Sequence, residues 1–136
     1  MKNKKTISIT GGTGHLGINI IKVLLDQGYR VKALIRHSTL PVIHPDLTWI
    51  KGDLNNLNAL TTLIEHSDVI IHCASAISLG EIDNSSMYEV NVKGTKNLLK
   101  VCLNKPIRFA YISSSTATED HLNYEVFDEK RPYSYD

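Results

Sequence analysis

Short apolar runs rich in valine and isoleucine alternate along this chain with longer stretches in which apolar residues return at helical spacing. The runs predict strands at about 5–10, 30–35, 47–51, 68–73 and 107–112. Between the first two, Leu16, Ile20, Val23 and Leu24, flanked by Ile21 and Leu25, follow helical spacing and stop at Gly28, a residue suited to ending a helix. A second helix, about 56–65, places Leu57, Leu60 and Ile64 on one face after the capping-type residues Asn55 and Asn56. A third, about 85–104, carries Met87, Val90, Gly94, Leu98, Val101 and Cys102 along one stripe. It ends near Lys105 and Pro106, where proline cannot continue a helix.

Strands alternating with helices predict the α/β class: a Rossmann-like, doubly wound parallel sheet of about five strands in the order 3-2-1-4-5, truncated after the fifth. Ligands of such sheets bind at the carboxyl ends of the strands. Beyond Ser115 the segment "TATEDHLNYEVFDEKRPYSYD" is polar and without sustained period. The expected division is therefore a binding domain over 1–115 followed by a loop over 116–136.

Composition narrows the function classes. With 136 residues, 42% of them hydrophobic, the chain buries one core. The net charge is +1 and the 15 basic residues are scattered, which excludes the electrostatic footprint of a nucleic-acid or polybasic membrane binder. Lys2, Lys4 and Lys5 precede an apolar run too short for a signal-peptide core or a membrane span, so a cytoplasmic protein is expected. Cys73 and Cys102 fall in apolar stretches without metal-ligand spacing and read as buried free thiols.

The chemistry concentrates in "ITGGTGHLG", residues 9–17. Gly12, Gly14 and Gly17 satisfy a glycine-x-glycine-x-x-glycine spacing, while Gly11, Gly14 and Gly17 recur at three-residue steps. Glycine permits the tight strand-to-helix turn, removes the Cβ that would strike a pyrophosphate, and lets helix and strand pack closely. Free amides at the helix start attract the anion. Because the loop follows a predicted strand and opens a predicted helix, a dinucleotide diphosphate is its expected neighbour.

Here the sequence resembles the extended short-chain dehydrogenase/reductase superfamily, in particular its NAD(P)-dependent epimerase/dehydratase and dihydroflavonol-reductase-like group. The resemblance runs over essentially the whole chain: "TGGTGHLG", "KGDL" at 51–54, "HCAS" at 72–75, "NVKGTKNLL" at 91–99 and "YISSST" at 111–116 occur in the family's order. It implies that Thr13, Gly14, His15, Leu16 and Gly17, following Gly11, wrap the diphosphate. Asp53 would accept a hydrogen bond from the adenine amino group, with Leu54 beside the ring, and Ala74 and Ser75 would line the path toward the nicotinamide ribose. Ser115 aligns with the family's catalytic serine, which helps position the substrate oxygen. Blander readings stand beside these: Asp53 as a turn residue before a helix, residues 73–75 as a small, well-packed strand end, Asn91 as a tie between strand ends, and Gly94 as a close-packing helix position.

An acidic residue about 20 positions past such a loop binds the ribose 2′-hydroxyl of NAD, whereas arginine there accommodates the 2′-phosphate of NADP. Arg36 lies 19 positions past Gly17, with His37 and Ser38 beside it, so NADP is favoured over NAD. A solvated strand-end charge is the alternative for Arg36. The family's acid/base pair, Tyr-x-x-x-Lys, is absent: the fourth residue after Tyr29, Tyr88, Tyr111 and Tyr124 is Ala33, Val92, Ser115 and Asp128, and Tyr133 and Tyr135 lie within four residues of the last. The expectation is the NAD(P)-binding N-terminal portion of an epimerase, dehydratase or reductase that transfers hydride on a small carbonyl or hydroxyl substrate, inactive alone. The alternative is a non-catalytic, redox-sensing dinucleotide-binding module or a truncated gene product. An open fifth strand and the apolar face of the 85–104 helix predict self-association.

Overall fold

β-Branched and aromatic residues in short runs form a sheet in the computed structural model, which describes residues 4–37, 40–77, 84–118 and 128–134. The strands are β1 (Thr6–Thr10), β2 (Arg30–Ile35), β3 (Leu47–Lys51), β4 (Val69–His72) and β5 (Arg108–Tyr111). All neighbours pair in parallel, in the order β3-β2-β1-β4-β5. Ile9 sits opposite Ala33 on one side and Ile71 on the other, and Thr10 opposite His72. This is the expected Rossmann-like architecture, with strand ends within one or two residues of those read from the sequence.

The helices are α1 (His15–Asp26), α2 (Leu57–Ile64), α3 (Asn84–Tyr88) and α4 (Thr95–Cys102), of which α1 packs in one apolar cluster and α2 and α4 in another. Ile21 of α1 packs with Ile9, Val31 and Ala33 against Trp49. Leu60, Leu63 and Ile64 of α2 pack with Leu98 of α4 against Leu34 and Ile70. Strands covered on both faces read as continuous apolar runs, which is why the sequence showed runs and not alternation. Within α1 the buried line runs through Gly17 and Ile21, while Leu16 and Val23 face solvent.

Both ends of α2 are satisfied by side chains. Asn56 caps the first turn, its Oδ1 accepting from the Ala59 N–H at 3.0 Å. At the other end Lys32 Nζ, reaching across from β2, donates to the Thr62 and Glu65 carbonyls at 2.5 and 2.9 Å. Gly28, at φ +80°, terminates α1, its N–H donating to the Leu25 carbonyl.

The single helix expected over 85–104 is instead three segments. α3 widens into a π-helical stretch, Glu89–Gly94, before α4 resumes and ends at Cys102. Two contacts constrain that stretch: the Asn91 side chain is bonded to backbone at residue 76, and Gly94 lies so near Leu54 that an added Cβ would stand 2.7 Å from the Leu54 Cβ. Asn104, at φ +60°, turns the chain before Pro106. Cys73 and Cys102 are free but half-buried, not fully enclosed as expected.

After β5, Ser115–Ala117 forms a 3-10 turn. Thr118 then bridges to Tyr133 in antiparallel sense, and the Ser134 N–H donates to the Ala117 carbonyl at 3.0 Å. Ser38 and most of the 116–136 loop, 119–127 with 135 and 136, lie outside the described residues. No described helix is long and apolar enough to cross a membrane.

Candidate functional site

The carboxyl ends of β1, β2 and β4 open on one cleft. The turn from β1 into α1 is held by a 3.0 Å bond from the Gly14 N–H to the Gly11 carbonyl. The first bond of α1 runs from the Ile18 N–H to the Gly14 carbonyl at 2.9 Å, and Gly14, as N-cap, brings no side chain. The amides of His15, Leu16 and Gly17 therefore precede the helical ladder, at the positive end of the helix dipole. This is an anion-binding arrangement.

The glycines are required for different reasons. Gly11 has φ +71°, and a Cβ there would lie 2.7 Å from the Ala74 nitrogen. At Gly17 a Cβ would fall 2.1 Å from the Gly11 carbonyl oxygen. At Gly12 it would meet Ile21 Cδ1 at 2.9 Å and Trp49 Cζ3 at 3.3 Å, and the Trp49 indole N–H is tied to the Val42 carbonyl at 2.9 Å. At exposed Gly14 the nearest atom would be 3.3 Å away. So the chain's own backbone excludes a side chain at Gly11 and Gly17 and its core crowds Gly12, whereas at Gly14 only the Gly11 carbonyl oxygen lies near.

The cleft has a volume of about 290 Å³, near the lower end of small-molecule sites. It brings together Gly11, Thr13, Gly14, Arg36, Asp53, Leu54, Ala74 and Ser75 from the sequence-derived set. His15, Leu16, Gly17 and Ser115 are not among its lining residues. Arg36, exposed at the first position past β2, lies on the same cleft as the glycine loop. His37 is exposed nearby but does not line it.

Asp53 holds the turn before α2 and borders the cleft. Its Oδ1 accepts from the Asn55 and Asn56 N–H groups at 2.8 and 3.1 Å. Leu54 is buried, and its carbonyl accepts from Asn97 Nδ2 at 3.0 Å.

On the opposite wall Asn91 grips the loop after β4. Its Oδ1 accepts from the Ala76 N–H at 2.8 Å, and its Nδ2 donates to the Ala76 carbonyl at 2.9 Å. Ser75 Oγ donates to the same Oδ1 at 3.4 Å. Ser115 is exposed, and its carbonyl accepts from the Thr118 hydroxyl at 2.8 Å.

One residue was not found by the motif reading. His72, fully buried at the end of β4, places Nδ1 2.5 Å from Thr10 Oγ1 and Nε2 2.9 Å from Thr95 Oγ1. Burial pushes its pKa down from 6.5 to about 4, so the ring is neutral near pH 7. The available signal was a histidine closing an otherwise apolar strand, "VIIH", at the same depth in the sheet as Thr10.

The model of the NAD dependent epimerase/dehydratase family matches residues 7–136. A 3 beta-hydroxysteroid dehydrogenase/Delta 5-->4-isomerase of Mycobacterium tuberculosis is 33% identical over 135 residues, covering 94% of this chain and 36% of that protein. The crystal structure of vestitone reductase from alfalfa, Medicago sativa, superposes with a TM-score of 0.68 at 34% identity, over 85% of this chain and 38% of that one. A short-chain dehydrogenase/reductase superfamily protein from Agrobacterium tumefaciens, solved with bound NAD, gives a TM-score of 0.71 at 27% identity over 82% of this chain and 33% of its own. The chain spans about a third of the length of the curated relatives it matches.

Proposed function

The chain belongs to the NAD dependent epimerase/dehydratase family, and on that premise we propose that its cleft binds a nicotinamide dinucleotide as the cofactor-holding portion of a reductase or epimerase. One observation carries the reading: the uncapped start of α1, Asp53 and Arg36 open on the same cleft. The diphosphate lies against the Thr13–Gly14 turn and the first amides of α1, where His15, Leu16 and Gly17 contribute backbone N–H groups. Asp53 and Leu54 take the adenine end. Ala74 and Ser75 border the ribose of the nicotinamide end, and Ser115 orients a small substrate's oxygen there.

When bound, the dinucleotide supplies or accepts the hydride. The chain's own residues bind it, orient it and exclude water beside it. No Tyr-x-x-x-Lys pair is present in these 136 residues to move the accompanying proton. Binding without turnover is therefore expected of this chain.

NADP is the preferred form in this reading. An arginine guanidinium donates two parallel hydrogen bonds to a phosphate, and charge-assisted bonds of this kind contribute about 1.5–3 kcal/mol, roughly 10- to 150-fold in affinity. Calorimetric titration of the chain with NADPH and NADH, beside the Arg36→Asp variant, tests it. NADPH binds at least tenfold more tightly than NADH to the unaltered chain, and the preference disappears or inverts in the variant. Equal affinity for both in the unaltered chain overturns the NADP assignment, and no binding of either overturns the cofactor site.

A further inference from the structure

The two walls of the cleft are built from different elements. The glycine loop leaves β1 immediately after Thr10, whereas residues 74–76 leave β4 and are gripped by Asn91 from the π-helical stretch. One buried side chain bonds to both sides of this divide: His72, whose Nδ1 meets Thr10 and whose Nε2 meets Thr95, four residues past Asn91.

The directions of these bonds follow from counting hydrogens. The Thr95 hydroxyl has one hydrogen, and it donates to the Asn91 backbone carbonyl at 2.7 Å. Thr95 Oγ1 must therefore accept from His72, which places the ring proton on Nε2 and leaves Nδ1 as an acceptor. Nδ1 in turn receives the Thr10 hydroxyl hydrogen, and Thr10 Oγ1 accepts from the Ala74 N–H at 3.4 Å. The result is one ordered chain of donors, from the Ala74 amide through Thr10, the His72 ring and Thr95 to the Asn91 carbonyl. Phe109 and Tyr111 of β5 hold the ring from the side, with centroids 6.3 and 5.5 Å away.

We propose that His72 is a positioning residue for the dinucleotide, setting the separation between the glycine loop and residues 74–76 through the two nitrogens of one ring. The assignment rests on the cofactor reading above. It explains why a polar ring occupies a fully buried site in which a leucine would pack: an apolar side chain cannot tie β1 to the Asn91 segment. It also predicts an asymmetry, because the network bonds directly to Ala74 and through Asn91 to Ala76, whereas it meets Leu54 only by the packing of Gly94.

The test uses the full 136-residue chain with two variants. His72→Phe keeps a ring between Phe109 and Tyr111 but loses both bonds; Thr95→Val is nearly isosteric, removes the Nε2 link together with the Thr95 hydroxyl's bond to the Asn91 carbonyl, and serves where His72→Phe fails to fold. Two readouts are taken: hydrogen exchange of the Ala76 amide without nucleotide, and affinity for NADH against affinity for ADP. Faster exchange at Ala76 in Thr95→Val, with NADH affinity reduced about tenfold and ADP affinity within twofold, is the expected result. Unchanged Ala76 exchange, or equal losses of NADH and ADP, overturns the role of His72 while binding to the unaltered chain still supports the cofactor site. Absence of NADH and ADP binding to the unaltered chain overturns the cofactor site itself, and with it any positioning of a dinucleotide by His72.

Discussion

Gly14 and Gly17 look alike in the motif, but their surroundings separate them. A methyl group at Gly17 would overlap the Gly11 carbonyl oxygen at 2.1 Å, whereas at Gly14 the nearest atom would be 3.3 Å away in an exposed turn. Gly17→Ala is expected to destabilise the fold by about 1–3 kcal/mol or more, as buried overpacking does, seen as a lower urea midpoint. Gly14→Ala should keep most of the stability and weaken nucleotide binding instead. The glycine spacing was legible in the sequence; which glycines the fold itself requires was not, because that depends on carbonyl positions set only when β1, α1 and β4 are assembled. His72 makes the same point, since its bonds to Thr10 and Thr95 join residues 62 and 23 positions apart. Its lowered pKa also predicts acid sensitivity. The unfolded chain, with the ordinary value of 6.5, takes up the proton before the native ring does at about 4. This contribution is therefore complete above about pH 6.5, declines as the pH falls and levels off below about pH 4, a loss on the order of 2–3 kcal/mol. Urea midpoints measured across that window should fall with pH, and the fall should be smaller in His72→Phe.

At the scale of the element, local signals did well where they acted locally. Asn56 was recognised as a capping type from its place before an apolar period, and it does accept the Ala59 N–H. Asn56→Ala should lower stability by about 1 kcal/mol, as loss of a helix cap does, shifting the urea midpoint with an unchanged slope. The helix over 85–104 was found by its stripe, but its π-helical centre was not. Periodicity reports which residues share a face and is insensitive to one widened turn, whereas Glu89–Gly94 is constrained by partners outside the helix, at Leu54 and at residue 76. Lys32 was invisible for a related reason: it lies on β2 and closes the far end of α2. A side chain that caps a helix from another element leaves no mark in that helix's own sequence.

Across the whole molecule, the alternation of apolar runs and amphipathic stretches was enough to read the order β3-β2-β1-β4-β5, because right-handed crossovers leave few other arrangements. The edge was read as well. β5 pairs only with β4 among the described strands, and Tyr111 and Ile112 at its end, Leu99 of α4 and Leu103 just past it are exposed. We propose that these surfaces make the chain self-associate, so light scattering should show a mass that rises with concentration; a constant monomer mass would overturn this. One further property follows from the packing of Trp49 against Gly12. The sequence holds a single tryptophan, and it sits directly behind the glycine loop. The chain thus carries one indole fluorophore directly behind the loop against which its ligand is proposed to bind, and its emission, excited at wavelengths the six tyrosines hardly absorb, reports the polarity of that place without a dye. Opening of the loop, filling of the cleft and loss of the fold all reach an observer through the same light.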